Sequence, residues 1–317
     1  MTDVPAPPRR DAGRWVKPAF LALVLAFGGL FVARRWDLLV LELQRMSWSA
    51  VLAAVVLAAL AQVAGMRAYR AILADLGAPL PVAAAGRLYF LGQLGKYLPG
   101  TVWVVVGTMA LARELGIMRK TSLAASLLAL VLSIATALSL AAVLLPIDAV
   151  GSIRQYWWVG LLLPLLLAGL HPRVVSAVLD TALRLARRQP MPEQLSTAGT
   201  LRAVGWQGLS WLLFGLHAWM LVLGVGGPAG QSLAVSIGGF ALAYAIGPLA
   251  VVAPAGAGVR EVALVLTLGS VIGSTAALAV ALVSRVLLVG VDFAQAGTWT
   301  LRARRAGASP APTLPLG

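Results

Sequence analysis

GRLYFLGQLGKYLPGTVWVVVGTMALAREL, residues 86–115, is apolar along most of its length and is broken in the middle by Pro99-Gly100. Each side of the break is too short to cross a bilayer alone, since a spanning helix needs about 20 apolar residues. Proline removes a helical hydrogen bond and glycine permits dihedrals closed to other residues, so the break frees backbone polar groups. At membrane depth such groups persist only where protein or a wet cavity satisfies them. A second stretch, SLAVSIGGFALAYAIGPLAVVAPAGAGVREVALVLTLGS, residues 232–270, repeats the pattern with a break from Pro254 to Gly258. Both read as re-entrant or broken-helix hairpins; a kinked single span or two separate spans is the alternative.

The rest of the chain sets these stretches in lipid. Its 317 residues are 60% hydrophobic and 11% charged, with a mean hydropathy of +0.90. That is too little charge to cover the surface of a soluble protein. Simple spans read at 18–33, 49–66, 122–145, 156–170, 204–223 and 275–296. The fold class is therefore all-α, a polytopic transmembrane helical bundle. One integral membrane domain, 18–298, is flanked by disordered cytoplasmic tails at 1–17 and 299–317. The first apolar run lacks a small-residue cleavage site and reads as a retained helix.

Charge orients the bundle. With a cytoplasmic N-terminus, most of the 25 Lys and Arg fall in the inner segments 1–17, 67–81, 113–120, 171–202 and 302–317. The outer segments 34–47 and 146–155 carry Arg34, Arg35, Arg45 and Arg154. This is the positive-inside bias, with both termini on the cytoplasmic side of a bacterial inner (plasma) membrane. Segment 171–202 reads as an amphipathic helix on that face. The two hairpins then enter from opposite sides, the arrangement of an inverted repeat.

Several functions are excluded early. The chain has no cysteine, and His171 and His217 form no spaced ligand cluster, so no metal is expected. No phosphate loop, nucleophile elbow or dinucleotide fingerprint occurs, so neither a cofactor nor a catalytic residue is assigned. The formal net charge of +14 belongs to loops that set topology and touch anionic headgroups, not to nucleic acid.

Chemistry concentrates in the ionisable residues left within the membrane: Arg87, Lys96, Arg260 and Arg285, with Glu261 and Asp292. Such residues cost at least about 2.5 kcal/mol each and mark function by default. Arg87 lies nearest an interface, where it can snorkel. Lys96 and Tyr97 stand beside Pro99 and Gly100, and Trp103 just after them is a candidate for the cavity wall. Pro254, Gly256 and Gly258 form the second break, and Arg260 and Glu261 open the half-helix that follows. Half-helix N-termini near Thr101 and Val259 carry partial positive charge and free N–H groups. Facing one cavity with Lys96 and Arg260, they would make an anion site suited to a phosphodiester. Glu261 can pair with Arg260 or Arg285; Arg285 and Asp292, seven residues apart on one helix, need other partners or form a structural ion network. Gly92, Gly95, Gly238 and Gly239 suit close helix packing.

The same segments carry a family resemblance. LGQLGKYLPGTVW at 91–103 with RELG at 113–116, PAGAGVRE at 254–261 and SRVLLVGVD at 284–292 resemble elements of the lysylphosphatidylglycerol synthase transmembrane family. Ala255 replaces a glycine of that pattern. The family includes the flippase part of the bacterial multiple peptide resistance factor, which moves aminoacylated phosphatidylglycerol. A separate soluble domain makes that lipid, and no such domain follows here, so aminoacyl transfer is not inherited. The resemblance implies a lipid flippase or scramblase for an anionic phospholipid or lipid-linked precursor. Two other classes remain open. One is a glycosyltransferase-like enzyme on a polyprenyl donor, for which Asp37 and Glu42 are the outer acids, about 140° apart on a helix. The other is a non-catalytic partner of a lipid-modifying enzyme.

Overall fold

The computed structural model describes residues 36–98, 102–145, 196–247 and 256–307, with isolated helical positions at 174, 177 and 181. The expected spans 18–33 and 156–170, both tails beyond these limits, and nearly all of segment 171–195 lie outside the described residues. So do Pro99, Gly100, Thr101 and Pro254.

The described residues are helical, without a strand. In chain order the helices are α1 (Trp36–Arg45), α2 (Trp48–Asp75), α3 (Val82–Gln93), a 3-10 turn (Leu94–Tyr97), α4 (Val102–Glu114), α5 (Arg119–Leu144), α6 (Thr197–Gly224), α7 (Ala229–Ile246), α8 (Val259–Ile272) and α9 (Ser274–Arg305). Among them α2, α5, α6, α7 and α9 are long and apolar enough to cross a membrane.

The central pair is α2 and α6, antiparallel over their full lengths. Small residues Ala54, Ala58, Ala61 and Gly65 line the buried face of α2 and let the backbones approach. Ser210 Oγ donates to the Ala61 carbonyl at 2.8 Å. At one end the Ser47 amide donates to the Gly224 carbonyl at 3.2 Å. At the other, the Asp75 carboxylate accepts from the Ser196 amide at 2.9 Å, and Ser196 Oγ caps α6 through the Gly199 amide. The Asp75 end also carries the starts of α3 and α5 and the end of α9, with Arg113, Arg119, Lys120, Arg202, Arg302, Arg304 and Arg305. This end is the arginine-rich face of the bundle.

Both broken stretches fold as antiparallel helical hairpins. In the first, α3 leaves the arginine-rich face and α4 returns to it. Arg87 on α3 pairs with Glu114 at the end of α4 at 2.9 Å, and Gly92 meets Thr108 midway, where a Cβ would collide with the threonine hydroxyl. In the second, α7 leaves the Gly224 face and α8 returns to it. Gly239 sits against Thr267, and Gly247 lies against Gly256 near the tip. A turn at Gly273 then reverses the chain into α9. The hairpins therefore start from opposite faces of the bundle, and α7 is itself long and apolar enough to cross a membrane.

Four boundaries differ from the sequence reading; one is α6, which begins at Thr197, so residues 197–202 of the expected segment 171–202 belong to that helix. Residues 36–45 of the expected outer loop are helical, with Asp37 and Arg45 at the ends that suit their charges. Helix α2 continues past residue 66 to Asp75, because Arg67 stacks on Trp206 at 5.9 Å and Arg70 Nε donates to the Leu80 carbonyl at 2.7 Å. Helix α9 continues past 298 to Arg305, so residues 299–305 are not a disordered tail. Trp299 packs under Gly86 and donates to Gln295 Oε1 at 2.9 Å, and Arg302 lies over its ring at 5.0 Å.

Candidate functional site

The first tip reaches the middle of α9. Leu98 ends the 3-10 turn in extended backbone (φ −85°, ψ 146°), the conformation a following proline imposes. The turn aims two side chains at Asp292. Lys96 Nζ lies 2.6 Å from Oδ2, and the Tyr97 hydroxyl donates to the same oxygen. Gln62 Nε2 on α2 donates to Oδ1 at 2.8 Å. Tyr97 also stacks on Phe293 at 5.8 Å. Both carboxylate oxygens of a buried aspartate are thus engaged, which a low-dielectric site requires.

The second tip is held by Glu261. Gly256 and Gly258 take φ of +67° and +87°, open to glycine and rarely to other residues. Glu261 Oε2 accepts from the Gly258 amide at 2.6 Å, closing the N-terminus of α8. Its Oε1 accepts from Arg285 Nη1 at 2.6 Å. The sequence reading offered that helix N-terminus to a bound anion. In the structure the chain's own Glu261 carboxylate takes the Gly258 amide at that terminus.

Arg260, the next residue to Glu261, is arranged differently. It is 8% exposed, yet among the described residues no acid lies within ion-pair distance of it and no side chain hydrogen-bonds its guanidinium. Its support is aromatic: the guanidinium carbon lies 4.1 Å from the Tyr244 ring centre and 4.9 Å from that of Phe240. Trp211 and Phe214 on α6 hold Tyr244 in place, at 5.1 Å and 5.5 Å.

The tips meet at a cavity of about 340 Å³. Lys96, Tyr97, Gly256, Arg260, Arg285 and Asp292 all line it. Glu261 stands behind Arg285, and Gly258 caps α8 without reaching the wall. Trp103 is half-buried and outside the lining, and its backbone packs against Gly95. Pro99, Gly100 and Pro254 are outside the described residues. Arg87 is also outside the cavity, neutralised by Glu114. The surplus of two cations expected within the membrane therefore becomes, at the cavity, three cations against two carboxylates. Among the described residues, the one without a carboxylate partner is Arg260.

Sequence reasoning passed over Gln62, Tyr244 and Phe240. Gln62 carried a signal, an amide inside an otherwise apolar span, whereas Tyr244 and Phe240 resembled any other apolar residues of a buried helix. His217 belongs elsewhere: fully buried, it bonds the Ala54 carbonyl and Ser284 Oγ, each at 2.9 Å, and ties α6 to α2 and α9. Asp37 is exposed on α1, away from the cavity lining.

A model of the family described as the lysylphosphatidylglycerol synthase TM region matches residues 15–294. No curated protein matches the chain. The chain belongs to the lysylphosphatidylglycerol synthase transmembrane family, multi-pass membrane proteins related to membrane lipid.

Proposed function

We propose that this protein is a flippase or scramblase. It would carry the headgroup of an anionic phospholipid or lipid-linked precursor between the leaflets of a bacterial inner membrane. The arginine-rich face would be cytoplasmic, as the positive-inside rule requires. The observation that carries the reading is Arg260, a buried cation without an acidic partner among the described residues, lining a cavity between two hairpin tips. An uncompensated buried charge costs several kcal/mol, and stacking on aromatic rings returns about 2 kcal/mol. A phosphodiester entering the cavity supplies the rest through charge-assisted hydrogen bonds to the planar guanidinium.

The opposed hairpins supply a route. Each is anchored to α9 by one ion pair, Lys96–Asp292 from one face and Glu261–Arg285 from the other. Lifting one tip while the other stays docked opens the cavity to one side at a time. Acyl chains remain in lipid while the headgroup crosses.

The test is dithionite quenching of fluorescent phosphatidylglycerol in proteoliposomes, with a zwitterionic lipid as control. The wild type should expose inner-leaflet anionic lipid faster than empty vesicles, and Arg260→Ala should fall to the empty-vesicle rate while remaining folded. Equal rates for wild-type and empty vesicles refute unassisted transport of that lipid.

A further inference from the structure

Resting on the flippase reading, we infer that the cavity is loaded sideways from the bilayer through a mouth between α4 and α5. The mouth seats the acyl chains of a lipid whose phosphodiester meets Arg260, while an apolar plug closes the end toward the arginine-rich face. Exposure locates the mouth. Among the described residues that line the cavity, only Leu98 and Leu130 are exposed, at 44% and 42%. Leu98 ends the first hairpin tip, and Leu130 stands midway along α5. Near the arginine-rich face Ala112 of α4 shares one buried cluster with Ala124 and Ala125 of α5. Further from that face the cavity lies between the two helices, with Val104 and Val105 on one lip and Leu130 and Ile134 on the other. All four are apolar. Leu130 lies about 16 Å along α5 from Arg119, close to half of a hydrocarbon core about 30 Å thick. The lips therefore face acyl chains and not headgroups.

The plug is built from three helices. Ile72 on α2, Leu132 on α5 and Ala203 on α6 are all buried, and they stand between the cavity and a small recess beneath Asp75 and Gly199. An anion arriving from water on that side would shed its hydration against three apolar side chains before it reached Arg260, and that costs several kcal/mol. A lipid avoids this path, because its chains already lie where the lips are. Size points the same way. A cavity of about 340 Å³ takes a small ligand or a headgroup, so two acyl chains must lie outside it, and the mouth is where its described wall is exposed. Apolar lips neither attract nor repel a chain relative to surrounding lipid. Affinity then comes from Arg260, and the mouth restricts the ligand to an amphiphile whose charged end reaches inward while its apolar end stays in the bilayer.

The experiment is fluorescence quenching in proteoliposomes of the full-length protein. Because the chain has no cysteine, Leu130→Cys places a single bimane label at the mouth. The probes are phosphatidylglycerol and phosphatidylcholine with brominated acyl chains, which quench bimane on contact. At equal mole fraction the anionic lipid should quench about fivefold more strongly, and Arg260→Gln should bring it down to the phosphatidylcholine level. Val105→Cys on the facing lip should repeat the result. Leu52→Cys, exposed on α2 and outside the cavity lining, should show no preference. Equal quenching by the two lipids at both lips overturns the inference, as does a preference that Arg260→Gln leaves unchanged or that Leu52→Cys shares. Glycerophosphoglycerol added to the water at equal concentration should leave the quenching as it was; displacement overturns the sideways route and points to a phosphodiester taken from solution. If Arg260→Gln does not fold, the comparison of the two lips with Leu52→Cys still decides. Preferential quenching without transport defeats the flippase reading alone, whereas transport without preferential quenching defeats this inference alone.

Discussion

Replacing Asp292 by asparagine should loosen the first hairpin tip from α9 by a measurable amount. Asp292 is 6% exposed in its side chain and Lys96 24%, with 2.6 Å between them. Removing one partner of a fully buried pair costs about 3–5 kcal/mol. Lys96 retains access to the cavity, so roughly half of the middle of that range applies, about 2 kcal/mol. The substituted amide keeps one acceptor oxygen for Tyr97, and Gln62 can turn its own amide to accept from the new NH2 group. Those two bonds therefore weaken without being orphaned. Since about 1.4 kcal/mol corresponds to tenfold, the undocked population rises roughly 30-fold.

The assay uses the absence of cysteine from the chain. Leu288 lies between Arg285 and Asp292 along α9, is 3% exposed and lines the cavity. A cysteine installed there should react with a maleimide in proportion to the time the tip is lifted. The expected result is labelling roughly 30-fold faster with Asp292→Asn than without it. Adding Lys96→Met removes the stranded cation and should bring the rate back to within about fivefold of the parent. Equal rates in the parent and Asp292→Asn backgrounds would refute the ion pair as what docks the tip.

Gly92→Ala should destabilise the first hairpin by about 2 kcal/mol, since the new methyl collides with the Thr108 hydroxyl. Adding Thr108→Ala should recover most of that loss in a thermal melt; no recovery would mean that the arms do not pack at this point. His217→Ala should cost about 3 kcal/mol by emptying a fully buried site and unpairing Ser284, while the folded fraction keeps its transport rate; lost transport in folded protein would place His217 in the pathway. Arg87→Ala should shift stability by less than about 1 kcal/mol and leave transport intact, because the Arg87–Glu114 pair is 24% and 48% exposed. A transport defect there would show that Arg87 contacts the headgroup.

The hairpins were legible in the sequence because their cause is local. A proline and glycines inside a run too apolar for a soluble loop have few outcomes in lipid, and the structure pairs Arg87 with Glu114 and Gly239 with Thr267 across the two turns. The extents of α2 and α9 were less legible, since hydropathy marks only the lipid-facing middle of a helix. Arg67 on Trp206 and Arg302 on Trp299 carry those helices onward through contacts that hydropathy does not weigh. Partner choice was the least legible. Lys96 and Asp292 are far apart in sequence, and their meeting depends on hairpin depth, which composition does not set. Glu261 is an intermediate case. A carboxylate three residues after Gly258 is a recognisable helix cap, and it takes the Gly258 amide away from any bound anion. Among the described residues Arg260 is the cavity cation without an acidic partner, and its Tyr244 and Phe240 platform comes from the other arm of the same hairpin. Any motion of that hairpin which parts α7 from α8 separates the cation from its aromatic support. Bound anion and a closed second tip should therefore favour one another, which links headgroup occupancy to the state of the hairpin.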